Sequence, residues 1–102
     1  MPYVKVATEN EIEEGGMIAV EVAGRTIMLA RVQGNIYALD NICSHAGGSL
    51  NEGYIDSFEV VCPLHAARYD VRTGKVAEDT RWGRGQRPFK VKIEGNDILV
   101  EV

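Results

Sequence analysis

The stretch Cys43-Ser44-His45, followed after residues 46–61 by Cys62-Pro63-Leu64-His65, decides how the rest of this chain is interpreted. The 102-residue chain contains two cysteines and two histidines, and all four lie in these two segments. Each segment pairs one thiolate with one imidazole at a spacing that a tight loop can direct to one point. The pattern predicts a metal centre whose ligands are Cys43, His45, Cys62 and His65.

The residues alone leave several chemistries open for this centre. A tetrahedral zinc site uses the same four side chains, although a Cys-x-His half is unusual for structural zinc. A Cys43–Cys62 disulfide is a second alternative, and it belongs to secreted proteins. A nucleophilic Cys–His pair is a third, but it leaves the other matched pair unexplained.

The flanking sequence favours short antiparallel strands. Residues 17–22 and 26–32 are apolar runs separated by Ala23-Gly24, which predicts a hairpin, and a turn at 33–35 leads into a third strand over 36–39. Residues 89–94 alternate as one half-buried strand, and a turn at 95–97 leads into 98–102. One helical turn is expected at Thr8, with Glu11 completing a capping box. The chain is predicted to be all-β, a single domain over residues 1–102 forming an antiparallel sandwich or barrel.

Composition and charge exclude several functional classes. The net charge is −4, which argues against a nucleic-acid binder. No apolar run is long enough for a membrane helix, and the N-terminus lacks the features of a signal peptide, so a cytoplasmic location is expected. Residues 1–61 hold nine acidic and three basic residues, whereas 62–102 hold six and eight. The acids at 9, 11, 13 and 14 are expected to form a hydrated face.

The sequence resembles the Rieske family, and within it the bacterial Rieske-type ferredoxins. The resemblance rests on the segments 43–50 and 62–65, on Gly53, on Tyr69-Asp70 and on Thr73-Gly74. It implies a Rieske fold, which is an antiparallel β-sandwich or barrel with a small cluster-binding subdomain made of two loops, about 43–50 and 62–70. It also implies one 2Fe–2S cluster, with Cys43 and Cys62 on the inner iron and His45 and His65 on the outer iron.

The function implied by this resemblance is one-electron transfer without catalysis. A ferredoxin of this kind carries electrons from an NAD(P)H-dependent flavoprotein reductase to a terminal aromatic-ring dioxygenase, through transient contacts with both. Two alternatives stay open: the small Rieske-like subunit of a nitrite reductase, and a zinc-stabilised interaction module.

The family pattern also predicts a low reduction potential. High-potential members have a serine and a tyrosine near the cluster, and here those positions hold Ala67 and Tyr69. The hydroxyl of Tyr69 is therefore a predicted donor to the cluster, although Tyr69 also suits a core position. The extra cysteines that clamp the two loops in high-potential members match Gly48 (or a neighbour) and Leu64, so no clamp is expected.

The segment 81–88 contains three arginines and no acid. In the family a proline-containing loop covers the cluster here, which makes Pro88 the expected cover residue. Arg81, Arg84 and Arg87 are expected either to attract an acidic partner or to be solvated, and Trp82 to dock or to act as a lid. The glycines at 47, 48, 53 and 74 are interpreted as turn residues.

Overall fold

The computed structural model describes residues 2–42, 48–64, 66–76 and 85–102. These residues contain ten β-strands and two single-turn 3₁₀ helices, Glu9–Glu11 and Leu50–Glu52. The strands are β1 Tyr3–Thr8, β2 Met17–Val22, β3 Arg25–Val32, β4 Asn35–Asp40, β5 Tyr54–Asp56, β6 Glu59–Val61, β7 Arg68–Asp70, β8 Pro88–Phe89, β9 Val91–Glu94 and β10 Asp97–Glu101. All seven of their pairings are antiparallel. The predicted all-β fold class is confirmed.

The strand β3 lies inside the central sheet, whose order is β2-β3-β4-β8. Its residues 27–30 are all fully buried. Successive side chains of a strand point to opposite faces of the sheet. Ile27 and Leu29 therefore enter one core, whereas Met28 and Ala30 enter another. The central sheet is covered on both faces, which explains why β3 is apolar almost throughout.

The second sheet, with the order β1-β10-β9, covers one face of the central sheet. The core between the two sheets contains mainly aliphatic residues: Ala7, Ile12, Val22, Ile27, Leu29, Ile36, Ala38, Phe89, Ile98 and Val100. The strands β1–β4 and β8–β10 are called the two-sheet region below.

A small sheet with the order β5-β6-β7 covers the other face of the central sheet. Its core contains Met28, Ala30, Val32 and Leu39 from the central sheet together with Leu50, Val60, Cys62, Ala67, Tyr69 and Val71. The described residues 48–64 and 66–76 are called the hairpin region below. This region includes residues 48–50 of the first loop of the predicted cluster-binding subdomain and the described residues of the second loop.

The predicted first hairpin is confirmed, with Ala23 and Gly24 in the turn at φ values of 53° and 77°. The predicted single strand over 89–94 is wrong. Pro88–Phe89 pairs with β4 of the central sheet, whereas Val91–Glu94 pairs with β10 of the second sheet. The chain therefore passes from one sheet to the other at Lys90. Phe89 is buried between the two sheets, so the apolar alternation continues across this change of partner.

The acidic segment after β1 does more than face solvent. The Thr8 N–H donates to Glu11 Oε2 at 2.6 Å, in agreement with the predicted capping box. The carboxylate of Glu14 accepts the N–H groups of Gln33 and Gly34 at 2.7 and 2.8 Å, and it thereby fixes the turn between β3 and β4. The interpretation of this segment as only a hydrated face was incomplete. None of the helices found in the described ranges has the length and apolarity to cross a membrane.

Candidate metal centre

Of the four predicted ligands, the structure describes Cys62. This residue follows β6 directly, and 1% of it is exposed to solvent. Cys43, His45 and His65 lie outside the described residues, as do Arg81, Trp82 and Arg84. The geometry of the centre is therefore built from Cys62 and from the residues that flank each ligand segment.

The first ligand segment begins and ends at neighbouring points of the backbone. Ile42 and Ser49 form an antiparallel bridge. Beside it, the Leu50 N–H donates to Asn41 O at 2.8 Å. The side chains add a second link, because the Asn41 Nδ2 donates to Asn51 Oδ1 and the Asn51 N–H donates to Asn41 Oδ1, both at 3.0 Å. These contacts hold Ile42 and Ser49, which stand at the two ends of the first ligand segment, beside each other.

The second ligand segment is the loop of the hairpin formed by β6 and β7. Val61 pairs with Arg68, and the Cys62 N–H donates to Ala67 O at 2.7 Å. Ala66 has a φ of 56°, a conformation that turns the chain back towards β7. Cys62 therefore lies at the base of this loop, at the boundary between the loop and the core.

The two ligand segments contact each other at Gly48. A Cβ atom placed on Gly48 would lie 3.0 Å from the Leu64 side chain and 3.4 Å from the Cys62 Sγ. The end of the first loop thus packs against the beginning of the second loop, beside the thiol. Gly48 and Leu64 are also the positions matched in the sequence to the extra cysteines of high-potential relatives. A buried thiol at the contact between the two ligand segments fits a ligand of an enclosed metal cluster.

Two glycines are required for close packing around this junction. A Cβ on Gly53 would lie 1.8 Å from Val61 O, and a Cβ on Gly74 would lie 1.9 Å from Gln86 O. Such distances are too short for any side chain. Gly53 has a φ of −85°, so its requirement comes from the approach of β6. The interpretation of Gly53 as a turn residue missed this reason.

Tyr69 is fully buried in the core that also contains Cys62 and Leu50. A core position for this aromatic ring is confirmed. Its predicted hydrogen bond to the cluster stays a prediction. Ala67, at the position where high-potential relatives have serine, is also fully buried.

Two ion-pair groups fix the sheet that carries Cys62. Arg68 in β7 contacts Asp56 at 3.0 Å and Glu59 at 3.2 Å, and so ties β7 to β5 and β6. Arg72 makes a two-point contact with Asp70, at 3.0 and 2.7 Å, while its guanidinium lies 4.0 Å from the centre of the Phe58 ring. The side-chain hydrogen bonds from Arg72 lower the pKa of Asp70 below its ordinary value.

The described end of the basic segment lies in the central sheet. Pro88 belongs to β8 and pairs with Leu39, and its Cδ lies 3.3 Å from the position of a Gly74 Cβ. Its predicted covering role stays a prediction. Arg87 is exposed, and its guanidinium lies 5.0 Å from the centre of the Phe89 ring. Sequence reasoning missed Gln86, which is buried beside the first loop. No local pattern marks it, because the acceptors of its side-chain amide are more than 40 residues away.

Comparison with known proteins gives a consistent family. The sequence model of the Rieske [2Fe-2S] domain matches residues 2–87. The ferredoxin component of the naphthalene 1,2-dioxygenase/salicylate 5-hydroxylase systems of Ralstonia sp. is 36% identical over 98% of this chain and 95% of its own length. The ferredoxin component of biphenyl 2,3-dioxygenase from Rhodococcus jostii is also 36% identical, over 100% of this chain and 94% of its own length.

Solved structures agree with the sequence comparison. The ferredoxin of carbazole 1,9a-dioxygenase from Nocardioides aromaticivorans has a TM-score of 0.90 and 35% identity, and the match covers 98% of this chain and 97% of that one. A complex of reduced oxygenase and oxidised ferredoxin in carbazole 1,9a-dioxygenase matches with a TM-score of 0.88 and 26% identity, over 96% of this chain and 91% of that one. A nitrite reductase small subunit from Mycobacterium tuberculosis has a TM-score of 0.87, and the match covers 99% of this chain and 96% of that one. At 16% identity it shares the fold alone. The family has an iron–sulfur cluster, which explains the pattern of two cysteines and two histidines better than zinc, a disulfide or a nucleophilic pair.

Proposed function

Because this chain belongs to the Rieske [2Fe-2S] domain family, we propose that it is the ferredoxin component of an aromatic-ring dioxygenase system. Family membership gives the chain one Rieske-type 2Fe–2S cluster and the role of an electron carrier rather than an enzyme. The proposed partners are an NAD(P)H-dependent flavoprotein reductase, which gives one electron, and a terminal oxygenase, which receives it. Both contacts are transient.

The proposed ligands are Cys43 and Cys62 on the inner iron and His45 and His65 on the outer iron. When bound, the cluster supplies a site that takes up and releases one electron. Support comes from the burial of Cys62 and from the contact between the two ligand segments at Gly48. The core residues Leu50 and Tyr69 exclude water from the Cys62 side of the centre.

The surface beside the two ligand segments is suited to a transient partner. Ile42, which precedes Cys43, is 48% exposed, and Leu64, which precedes His65, is 45% exposed. Large apolar side chains that are exposed beside a functional site are typical of protein-binding surfaces. We propose that the oxygenase and the reductase use this surface in turn, since weak electron-transfer contacts are small.

The observation that carries the proposal is the similarity to ferredoxin components along nearly the whole chain. We further propose that residues 1–102 form one Rieske domain, with cluster-binding loops at about 43–50 and 62–70. The pairing of β10 with both β1 and β9 supports one domain, because it joins the two ends of the chain in one sheet. A cytoplasmic location is part of the proposal, since thiolate ligands and a pyridine-nucleotide reductase both suit a reducing compartment.

The test is electron transfer to and from the purified holoprotein. Stopped-flow absorption follows reduction by an NADH-dependent ferredoxin reductase, then reoxidation by the oxygenases of the naphthalene and biphenyl systems and by any oxygenase encoded beside this chain. We expect reoxidation by at least one oxygenase with its aromatic substrate. Ferricyanide serves as the control for a competent cluster. Normal oxidation by ferricyanide, with no reaction towards any oxygenase, contradicts the proposed role.

A further inference from the structure

Gln86 is one of two polar side chains that are buried within the described ranges, and the other is Asn41. Gln86 is 5% exposed and comes two residues before β8. A buried amide is costly unless its polar atoms are hydrogen-bonded. The contacts of this side chain therefore indicate what the position does.

Both N–H bonds of the Gln86 amide point at the base of the first ligand loop. The Nε2 donates to Asp40 O at 2.8 Å and to Ile42 O at 2.7 Å. Both neighbours are carbonyl oxygens, which accept and cannot donate, so the nitrogen end of the amide must face them. Ile42 is the residue directly before Cys43.

The backbone of Gln86 is fixed from the opposite side by the hairpin region. The Gln86 N–H donates to Gly74 O at 2.7 Å, and the Gly74 N–H donates to Asp70 O, also at 2.7 Å. No side chain fits on Gly74, because Gln86 O occupies the place of its Cβ. Gln86 therefore connects two parts of the site: the base of the loop that begins with Cys43 and the turn that follows β7.

The other buried amide holds the same loop from within. Asn41 joins the two arms of the loop base through Asn51, whereas Gln86 approaches from outside and bonds the carbonyls on either side of Asn41. The path of the backbone up to Ile42, the residue before Cys43, is thus fixed by two amides. Of these two residues, Gln86 also bonds the hairpin region through its backbone N–H. It therefore fixes the position of this backbone relative to the hairpin region.

We propose that Gln86 is a positioning residue for the cluster, which sets the place of the Cys43 loop relative to the hairpin region. This inference rests on the proposed ligand set. Without the amide, the two carbonyls need water as a donor, so water gains access to the base of the loop. With the proposed ligands, the charges of two ferric ions, two sulfides and two thiolates cancel in the oxidised site, and one added electron leaves one negative charge. Added water stabilises the charged reduced state more strongly and raises the reduction potential.

The test compares Gln86→Met with the same change at the chain's other glutamine, Gln33, which lies exposed in the turn between β3 and β4. Redox titration measures the equilibrium constant for reduction, and a chelator assay measures the rate of cluster loss. For Gln86→Met we expect the constant to rise about three- to tenfold, which corresponds to about 30–60 mV for one electron. We also expect cluster loss to be at least about fivefold faster. Gln33→Met should change neither quantity.

A third variant separates positioning from general stability. Val100→Ala creates a cavity in the core of the two-sheet region, so it should lower the unfolding temperature without changing the potential. Should Gln86→Met fail to fold, Gln86→Asn keeps the amide on a shorter side chain and should give a smaller shift in the same direction. A potential equal to that of the wild type, or a lower one, in a Gln86 variant with bound cluster overturns the proposal. An error in the ligand set is detected by a separate experiment. If His45 is not a ligand, the EPR signal of His45→Ala will equal that of the wild type.

Discussion

The two-sheet region and the hairpin region are stabilised in different ways, although each contributes to a core of similar size. In the two-sheet region, strands of four to eight residues place alternate aliphatic side chains between two sheets, with β8 as the one short exception. In the hairpin region each strand has three residues, and four of the ten residues in its core belong to β3 and β4. A small sheet needs an apolar face packed against other elements to be stable, and here β3 and β4 supply part of that packing.

The hairpin region compensates with specific contacts that tolerate little change. Gly53 and Gly74 admit backbone carbonyls at distances that exclude a side chain, and the amides of Asn41 and Gln86 bond backbone groups around the first loop. Apolar burial therefore stabilises the two-sheet region, whereas individual hydrogen bonds and close contacts determine the geometry of the hairpin region. The predictions below test this division.

The largest expected effect is the loss of stability when Gly74 is replaced by alanine. Gly34, which has nearly the same φ, is the matched control. Gly74 and Gly34 have φ values of 76° and 80°, but only Gly74 has an atom within 4 Å of the position of a Cβ. Gly34→Ala should cost about 1 kcal/mol from its backbone conformation alone. Gly74→Ala should cost at least about 3 kcal/mol, because the chain must also move away from Gln86 O. Denaturant unfolding measures both, and equal costs would contradict the role given to close contacts.

Removal of the cluster should affect the two regions unequally. We expect amide hydrogen exchange in the apoprotein to be at least about 100-fold faster at Val60, Val61 and Tyr69, since metal binding contributes directly to the stability of its own site. Exchange at Leu29 and Val100 should change by less than about threefold. The comparison needs apoprotein and holoprotein at one pH and temperature. Uniform acceleration along the chain would show that the two-sheet region also depends on the cluster.

An exposed apolar side chain beside the ligand loops should matter for partners, whereas a similar one in the two-sheet region should not. Leu64 is 45% exposed and Ile93, in β9, is 41% exposed. Leu64→Ser should lower the second-order rate of reoxidation by the oxygenase about five- to tenfold, through lost apolar contact. Ile93→Ser is the matched control and should leave that rate unchanged. Equal effects of the two substitutions would move the docking surface away from the loops.

Tyr69→Phe tests whether the buried hydroxyl acts on the cluster in addition to filling the core. A hydrogen bond that favours the reduced cluster by about 1 kcal/mol raises the potential by about 40 mV for one electron. We therefore expect the phenylalanine variant to have a potential lower by about that amount. Protein-film voltammetry measures it. An unchanged potential leaves Tyr69 with its packing role alone.

The smallest expected effect concerns the ion pair between Asp70 and Arg72. Hydrogen bonds from Arg72 lower the pKa of Asp70, so the pair stabilises the fold at pH values above the unfolded pKa of about 3.9 and loses this contribution as the pH falls through the lower folded pKa. Asp70→Asn should cost no more than about 1 kcal/mol at neutral pH, and nothing at pH values below both pKa values. The control in the two-sheet region is Asp97→Asn, which removes the charge of an exposed ion pair. In that pair Asp97 Oδ1 lies 3.3 Å from Lys5 Nζ. A pH-independent cost of Asp70→Asn would refute this explanation.

The parts of the fold that the sequence predicts are those with a local pattern. The strands β2–β4 appear as apolar runs, and the turns at Ala23-Gly24 and Gln33-Gly34 each contain a glycine, the residue that a positive φ value favours. The strands β5–β7 are too short to show a period, and β1 is defined by pairing with β10 at the far end of the chain. The change from one sheet to the other at Lys90 has no signature in the sequence, because Phe89 and β9 continue one pattern of apolar alternation.

The candidate site likewise has parts that the sequence indicates and parts that it does not. The four proposed ligands could be named from the sequence because they are all the cysteines and histidines of the chain, in two matched pairs. The contacts that hold the ligand segments were not predictable. Gln86 and Ile42 are 44 residues apart, and nothing in the sequence near Gln86 shows that its amide is buried. Gly53 and Gly74 could be identified as special positions, but the close approach of Val61 O and Gln86 O that requires them is visible only in the structure.

The central claim is that one iron of the cluster is held by His45 and His65. The chain contains only these two histidines, so growth on [¹⁵N]histidine labels the two proposed ligands and nothing else. The dithionite-reduced protein should give an EPR signal whose average g value lies below that of the free electron, and ENDOR spectra should resolve two strongly coupled ¹⁵N nuclei. A single strongly coupled ¹⁵N nucleus, or none, would contradict the claim.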